Sequence, residues 1–433
     1  MSGWTWSEAD HYLRTHQVWG LRFGLDRMHR LMTVLGQPHE RFASIHVVGT
    51  NGKSSTTRMT AALLERHGLR TATYTSPHLI SYAERIEVGE RMLPPDELAS
   101  AIERAAAAAQ RVERTLAEDD VVTQFEVLTA AAYLAIAERG VDVAVVEAGL
   151  GARYDATSVI DPRVHVLTNV GLEHTRWLGP TVGHIAAEKL AVVPEGGTLV
   201  VGYGLAPEVQ EMVQALPGVR LRVAARQPRP AVARALRARG DFQQRNFALA
   251  LASAETFLGR ELDPGAVLAA ARETVIPGRL ELVADDPPVL LDGAHNPDSI
   301  EALVDSLPAV AAGRPLSVVL SILDDKDAAA MMERLARVAR RLIVTRTDSE
   351  RALPAATLLS LAGQLGIAPV ECHPRAADAL ARARELAAGE QGAVLVCGSI
   401  YLVGELLSVL RSEQEALQGA RIWHTHAAGS TGA

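Results

Sequence analysis

Ile45-His46-Val47-Val48-Gly49-Thr50-Asn51-Gly52-Lys53-Ser54-Ser55-Thr56-Thr57 is the stretch from which the rest of the chain can be read. Its apolar start predicts a buried strand, a glycine-bearing turn follows, and from Lys53 to His67 the residues alternate with helical spacing. Gly49 and Gly52 permit backbone dihedrals that aim successive N–H groups inward, and the helix behind them offers its positive dipole end to an anion. Lys53 adds a point charge suited to β- and γ-phosphates, and Ser54 or Ser55 a hydroxyl for a phosphate or Mg²⁺. The expected guest is a nucleoside triphosphate. The general pattern GxxxxGK followed by Ser or Thr asks for glycine at position 47, where this chain has Val47, so the loop departs from the generic form. The plainer reading, a glycine turn before an ordinary helix, is disfavoured by the strand context.

Composition adds an independent argument. Lys53, Lys189 and Lys326 are the only lysines among 43 Lys and Arg; all the rest are arginine. Guanidinium is a permanently charged planar fork, whereas an amine is a compact charge that can lose its proton and act as a nucleophile. Positions that need the second chemistry resist exchange, so all three lysines are functional candidates.

At 433 residues the chain exceeds one typical core, and two domains are expected. Hydrophobic residues make up 48% and charged residues 22%, ordinary for a globular protein. A formal net charge of −8 argues against coating nucleic acid or an anionic membrane, so any anionic ligand must meet local arginines. Only Cys372 and Cys397 occur, no early stretch reads as a signal peptide, and no long uncharged apolar run appears. A reducing cytoplasm is the expected compartment.

Along the chain, residues 4–37 read mostly as helix, with a turn and a charged pair at Gly24-Leu25-Asp26-Arg27 after Phe23; Asp26 reads first as a helix cap. Residues 71–75 form the next expected strand, which ends at Ser76, either a turn serine or a hydroxyl facing bound metal or phosphate. Helices are expected at 96–117 and 123–139, the second beginning with Gln124, Phe125 and Glu126. A strand at 141–146 delivers Glu147, a carboxylate at the edge from which P-loop enzymes hold Mg²⁺, followed by a glycine-rich loop with Arg153 available to a substrate carboxylate. A strand at 164–170 leads to His174. Three strand ends thus deliver Ser76, Glu147 and His174, a mixed oxygen and nitrogen set able to hold Mg²⁺ or Mn²⁺. Strand and helix alternation continues to residue 223, and a helix is expected at 241–258. The Pro-Gly break at 276–280 marks a domain junction. A second alternation follows, with loops at 292–297 and 324–327, and periodicity ends near Glu413. The expected domains are therefore 1–279, 280–412 and a flexible tail at 413–433, where His424 and His426 lie.

Taken together, GTNGK (49–53), TSPHL (75–79), FE (125–126), EAGLGARYDAT (147–157), EHT (173–175), LGPT (178–181), EK (188–189), PGR (277–279), DGAHNP (292–297), DDKD (324–327) and CGSIYLVGE (397–405) resemble folylpolyglutamate synthase and dihydrofolate synthase of the Mur ligase superfamily. The resemblance implies an α/β fold: a P-loop ATPase domain of the Mur ligase type with a mainly parallel sheet, and a smaller carboxyl-terminal Rossmann-like α/β domain. It implies an ATP-dependent amide ligase, in which a carboxylate is phosphorylated and the amine of L-glutamate attacks the acyl phosphate.

By matching motif, the resemblance places ATP on Gly49, Thr50, Asn51, Gly52, Lys53, Ser54, Ser55, Asn246, Arg279 and Asp292, the last two straddling the domain junction. It places Mg²⁺ on Ser76, Glu147 and His174, and a second Mg²⁺ on a carbamylated Lys189, with K⁺ as a further cation. The catalytic residues would be Lys189, His295 and Lys326, the last two facing the phosphoryl and glutamate side. Gly24, Leu25, Asp26, Arg27, Phe125, Arg153 and Asp155 would meet the pterin-bearing substrate. The implied partners are folate or dihydropteroate and L-glutamate, with no nucleic acid or membrane, acting on a monomer. The family usually has glycine where Ser54 and Ala152 stand, asparagine at Ser158, aspartate at Glu173, and Ala-Gly at Leu190-Ala191; Ala152 and Ser158 touch the substrate side. Alternative readings are a ligase of the same fold acting on a non-folate carboxylate, and a P-loop binding module without catalysis.

Overall fold

The computed structural model describes residues 3–16 and 24–428. Phe23 lies outside them. The chain divides into two compact units, one made of Met1–Arg237 with Phe242–Val275, the other of Ala238–Asp241 with Ile276–Ala433. Among the described residues no helix is long and apolar enough to cross a membrane.

The first unit is built on an eight-stranded sheet whose strands, in chain order, are β1 (Ala43–Val48), β2 (Thr71–Tyr74), β3 (Ile86–Val88), β4 (Arg91–Met92), β5 (Val143–Glu147), β6 (Val164–Leu167), β7 (Thr198–Val201) and β8 (Arg220–Val223). Their spatial order is β4-β3-β2-β5-β1-β6-β7-β8, parallel throughout except for the β3–β4 hairpin at one edge. The continuous apolar runs of β1 and β5 follow from this placement, because a central parallel strand is covered on both faces. On one face, helices Trp6–Thr15, Asp26–Val34, Pro95–Glu113 and Gln124–Glu138 bury Leu13, Met28, Ile102 and Tyr133 against Ala72, Tyr74 and Val146 of the sheet. Part of the opposite face is covered by Val182–Leu190 and Pro207–Gln214, which pack over Val48, Leu167 and Val201.

The strand order positions the site. The connection from β1 to β2 leaves a gap that β5 fills, while β6, β7 and β8 extend the sheet on the other side of β1. The direction of winding therefore changes at β1, and in open parallel sheets ligands bind beyond the carboxyl end of a strand so placed. Val47 of β1 pairs with Glu147 of β5, and Val48 with Leu167 of β6, so all three strands finish at the same edge.

The second unit carries a six-stranded sheet of β9 (Glu281–Asp285), β10 (Pro288–Leu291), β11 (Leu316–Leu320), β12 (Ala339–Arg346), β13 (Val370–Arg375) and β14 (Ala393–Cys397). Its order is β13-β12-β11-β14-β10-β9, with β9 antiparallel to β10. The two α/β units match the fold class expected from the sequence.

Several expected boundaries shift. The strand expected at 164–170 stops at Leu167, because Thr168 to Gly171 turn out of the sheet to hold the loop after β1. The final helix, Ile400–Ala428, continues beyond the end of the apolar periodicity at Glu413. Arg279 and Asp292 do not straddle a boundary. Both belong to the second unit, where Gly293 N–H donates to the Gly278 carbonyl at 2.9 Å and Leu280 N–H to Asp292 at 2.8 Å.

Candidate active site

The loop between β1 and the helix Lys53–Glu65 turns at two glycines that nothing else could replace. Gly49 has φ +150°, and a Cβ there would overlap the Thr168 hydroxyl. Gly52 has φ +82°, and a Cβ there would lie 2.5 Å from Asn246 Oδ1. Lys53 Nζ folds back over the loop, donating to the carbonyls of Gly49 and Thr50 at 3.2 and 3.1 Å. The first N–H groups of the thirteen-residue helix have no intrahelical acceptor and lie where the dipole is positive. That combination suits an anion.

On one side of the loop stands β5. Its last residue, Glu147, is 2% exposed; one carboxylate oxygen accepts from Ser54 Oγ at 3.1 Å and the other from Ser76 N–H at 3.1 Å. Ser54 and Ser76 thus both bond to Glu147; of the three residues expected at strand ends, Ser76 and Glu147 are in contact. A cation fits this donor set. Magnesium takes one or two carboxylates with hydroxyl, water and phosphate oxygens rather than a closed protein cage. Among the described residues no three His, Cys, Asp or Glu side chains converge. His174, beyond β6, adopts φ +52° at the start of Thr175–Leu178, with its Nε2 4.0 Å from Glu173.

Beneath the loop lies the second lysine. The helix Val182–Leu190, capped by Thr181, carries Lys189 into the interior, where it is 4% exposed and its Nζ donates to the Gly49 carbonyl at 2.7 Å. Burial, followed by the neighbouring Lys53 charge, pulls this amine down from 10.5 to about 7. A partly neutral buried amine beside a phosphate loop is chemically distinct from any arginine, in line with the lysine argument from composition.

The loop's fourth neighbour was missed from the sequence. Thr168 and Asn169, just past β6, bond to Thr50 and Asn51. Only their position at a strand's carboxyl end could have signalled it. Asn246 sits opposite Gly52 and is held by Gln243, which accepts from its Nδ2 at 3.0 Å; Gln243 is fully buried and was also missed.

The residues expected around a pterin divide. Asp26 is not a cap: Leu25 is the N-cap residue of Asp26–Val34 and makes no side-chain cap bond, while exposed Asp26 pairs with Arg30 at 2.8 Å. Arg27 is buried and committed, bonding Glu126 at 3.0 Å and Asp120 at 3.1 Å. Asp155 is also structural in its contacts. It accepts from Leu150 N–H at 2.8 Å and Thr157 N–H at 3.0 Å, and burial raises its carboxyl. Phe125, in the first turn of Gln124–Glu138, stacks on Tyr74 with ring centroids 6.3 Å apart. Arg153 is exposed, 3.5 Å from Glu188 and 6.0 Å from the centroid of the Tyr154 ring. Gly24, half-buried, has φ +130° with open space where a Cβ would stand.

In the second unit, Asp292 follows β10 and ties its own loop together through Leu280 and Ala294 N–H groups at 2.8 and 2.7 Å. Burial raises its carboxyl, and the Arg279 charge opposes that rise. His295 Nδ1 lies 2.7 Å from the Gly293 carbonyl, and Asn296 caps the helix Pro297–Val310. Lys326 is largely buried and 3.5 Å from Asp325.

A phosphate loop on β1, a carboxylate on the adjacent strand and a buried lysine below are the parts from which a nucleotide-dependent enzyme could be built. Residues 47–201 match the Mur ligase middle domain and residues 278–400 the Mur ligase glutamate ligase domain. The chain is 31% identical to the dihydrofolate synthase/folylpolyglutamate synthase of Bacillus subtilis, over 94% of this chain and 99% of that protein. Its fold is similar to Mycobacterium tuberculosis folylpolyglutamate synthase complexed with ADP, with a TM-score of 0.86 and 32% identity over 94% of this chain and 98% of the other. It is also similar to Escherichia coli FolC in complex with DHPP and ADP, with a TM-score of 0.81 and 26% identity over 95% and 99% of the two chains. The chain belongs to the folylpolyglutamate synthase and dihydrofolate synthase family of the Mur ligase superfamily.

Proposed function

We propose that the protein joins L-glutamate to the carboxylate of a folate or dihydropteroate, using ATP to make an acyl phosphate that the glutamate amine attacks. The observation that carries this reading is the convergence of the Gly49–Ser55 loop, Glu147 and Lys189 at one sheet edge, the last with its Nζ 2.7 Å from the Gly49 carbonyl. A carboxylate is a poor electrophile until one oxygen is made a leaving group, and amide formation then needs the amine held close and water kept out. The loop and Lys53 hold the transferring phosphate. Ser76, Glu147 and His174 would hold Mg²⁺, which when bound supplies charge neutralisation for the phosphates. Lys189, half neutral near pH 7, would capture CO₂ as a carbamate, converting a buried amine into an anionic oxygen ligand for a second cation. A guanidinium has no such route.

Asn246, Arg279 and Asp292 are assigned to the nucleotide, and His295 and Lys326 to the acyl phosphate and glutamate. Gly24, Leu25, Asp26, Phe125 and Arg153 are assigned to the acceptor. Arg27 and Asp155, committed to their own carboxylate and backbone partners, support that surface from within. K⁺ as a further cation, a monomeric state and a cytoplasmic location complete the proposal.

ADP release coupled to a reporter, measured with ATP, Mg²⁺ and L-glutamate, tests the proposal with dihydropteroate, tetrahydrofolate or no acceptor in parallel. Release that depends on a pterin acceptor and on glutamate is the expected result. Release indifferent to both pterins would reject the folate assignment.

A further inference from the structure

Two donors that a phosphate loop could offer its ligand are spent elsewhere. Thr50 N–H donates to the Asn169 carbonyl at 3.0 Å, and Asn51 N–H to the Asn169 side-chain oxygen at 2.9 Å. The same side chain returns a bond, its Nδ2 donating to the Asn51 carbonyl at 3.0 Å, so one amide grips both polar groups of one loop residue. Thr168 Oγ1 donates to that carbonyl as well, at 2.7 Å. Gly171 N–H donates to Thr50 Oγ1 at 3.0 Å. The absence of a Cβ at Gly49 is what admits Thr168 so close.

We infer that Asn169, with Thr168, is a positioning residue for the nucleotide: it sets the phosphate loop in its binding shape before ATP arrives, leaving the N–H groups of 52–55 to meet the phosphates. The inference rests on the proposal that this loop binds nucleotide. A loop already held pays none of its ordering entropy on binding, and each backbone residue fixed in advance matters in that balance. The segment also has a second duty. Asn169 lies five residues before His174, so the same short excursion from β6 fixes the loop and carries a residue assigned to the cation.

The prediction is specific to one substrate. Asn169→Ala should raise the Kd for ADP and the KM for ATP by about tenfold or more, as loss of two neutral hydrogen bonds implies. The KM for glutamate should stay near its normal value. Thr168→Val should give a smaller rise, and Thr168→Ser, which keeps the hydroxyl, should behave as the unaltered protein. Calorimetric ADP titration of the unaltered enzyme and the three variants, with thermal midpoints measured without nucleotide, is the experiment. If Asn169→Ala or Thr168→Val lowers the thermal midpoint but leaves ADP affinity unchanged, the residues are merely structural and the inference is overturned. Failure of the unaltered protein to bind ADP would instead overturn the nucleotide reading itself. Should Asn169→Ala not fold, the contrast between Thr168→Val and Thr168→Ser decides.

Discussion

Lys189 is a residue the protein keeps at a cost in stability, and replacing it by an isosteric apolar side chain should make the resting enzyme sturdier while silencing it. In the unfolded chain its amine titrates at 10.5, whereas burial brings the folded value to about 7. That gap at ~1.4 kcal/mol per pH unit gives a penalty on the order of 4 kcal/mol at neutral pH. Because the folded value is depressed, the penalty is full below the folded pKa, shrinks as pH rises through the window between the two values, and vanishes above the unfolded one. Lys189→Met removes the penalty. Gly49's carbonyl retains the Lys53 donor at 3.2 Å, so little hydrogen-bond loss offsets the gain. Urea unfolding of nucleotide-free protein, degassed to remove CO₂, should show Lys189→Met more stable at pH 7, with the advantage fading toward pH 10. Turnover of the same variant should fall by several orders of magnitude, and Lys189→Arg should lose most activity despite keeping the charge. A variant less stable than the unaltered protein at pH 7, or an advantage that grows with pH, would refute this reasoning.

Other expectations are shorter to state. His46 and His165 face each other on β1 and β6, buried, with ring centroids 6.4 Å apart and pKa values lowered by burial to about 3 and about 4. Protons bind the unfolded chain first, so stability should fall as pH drops from 6.5 toward 4, by about 2 kcal/mol per histidine at pH ~5; His165→Val should flatten that slope in chemical denaturation, and unaltered slopes would contradict it. Gly49→Ala should abolish measurable ADP binding, because the added methyl collides with Thr168 at a backbone angle alanine rarely adopts; calorimetry reads this directly. Glu147→Gln should cut kcat by about a hundredfold and raise the Mg²⁺ requirement; a normal Mg²⁺ dependence would remove Glu147 from the cation.

What could be read from the sequence was whatever its local pattern carried. The loop from Gly49 to Ser55, the strand carrying Glu147 and the rarity of lysine were all visible, because strand ends and glycine turns leave short-range signatures. Partners distant along the chain were not. Nothing near Arg27 announces its partner Glu126, 99 residues away. Asn169 is separated from Asn51 by 118 residues, and asparagine after a strand has many ordinary uses. Arg279 was placed on the junction because the Pro-Gly break was visible, while the β9–β10 pairing beyond it, which draws Arg279 toward Asp292, was not.

The central claim is that a carboxylate is activated by phosphoryl transfer before glutamate attacks. An acceptor labelled with oxygen-18 in its reacting carboxylate, incubated with ATP and glutamate, tests this through the phosphate released. One labelled oxygen in the inorganic phosphate for each amide formed is the predicted result. Unlabelled phosphate alongside labelled amide would contradict it.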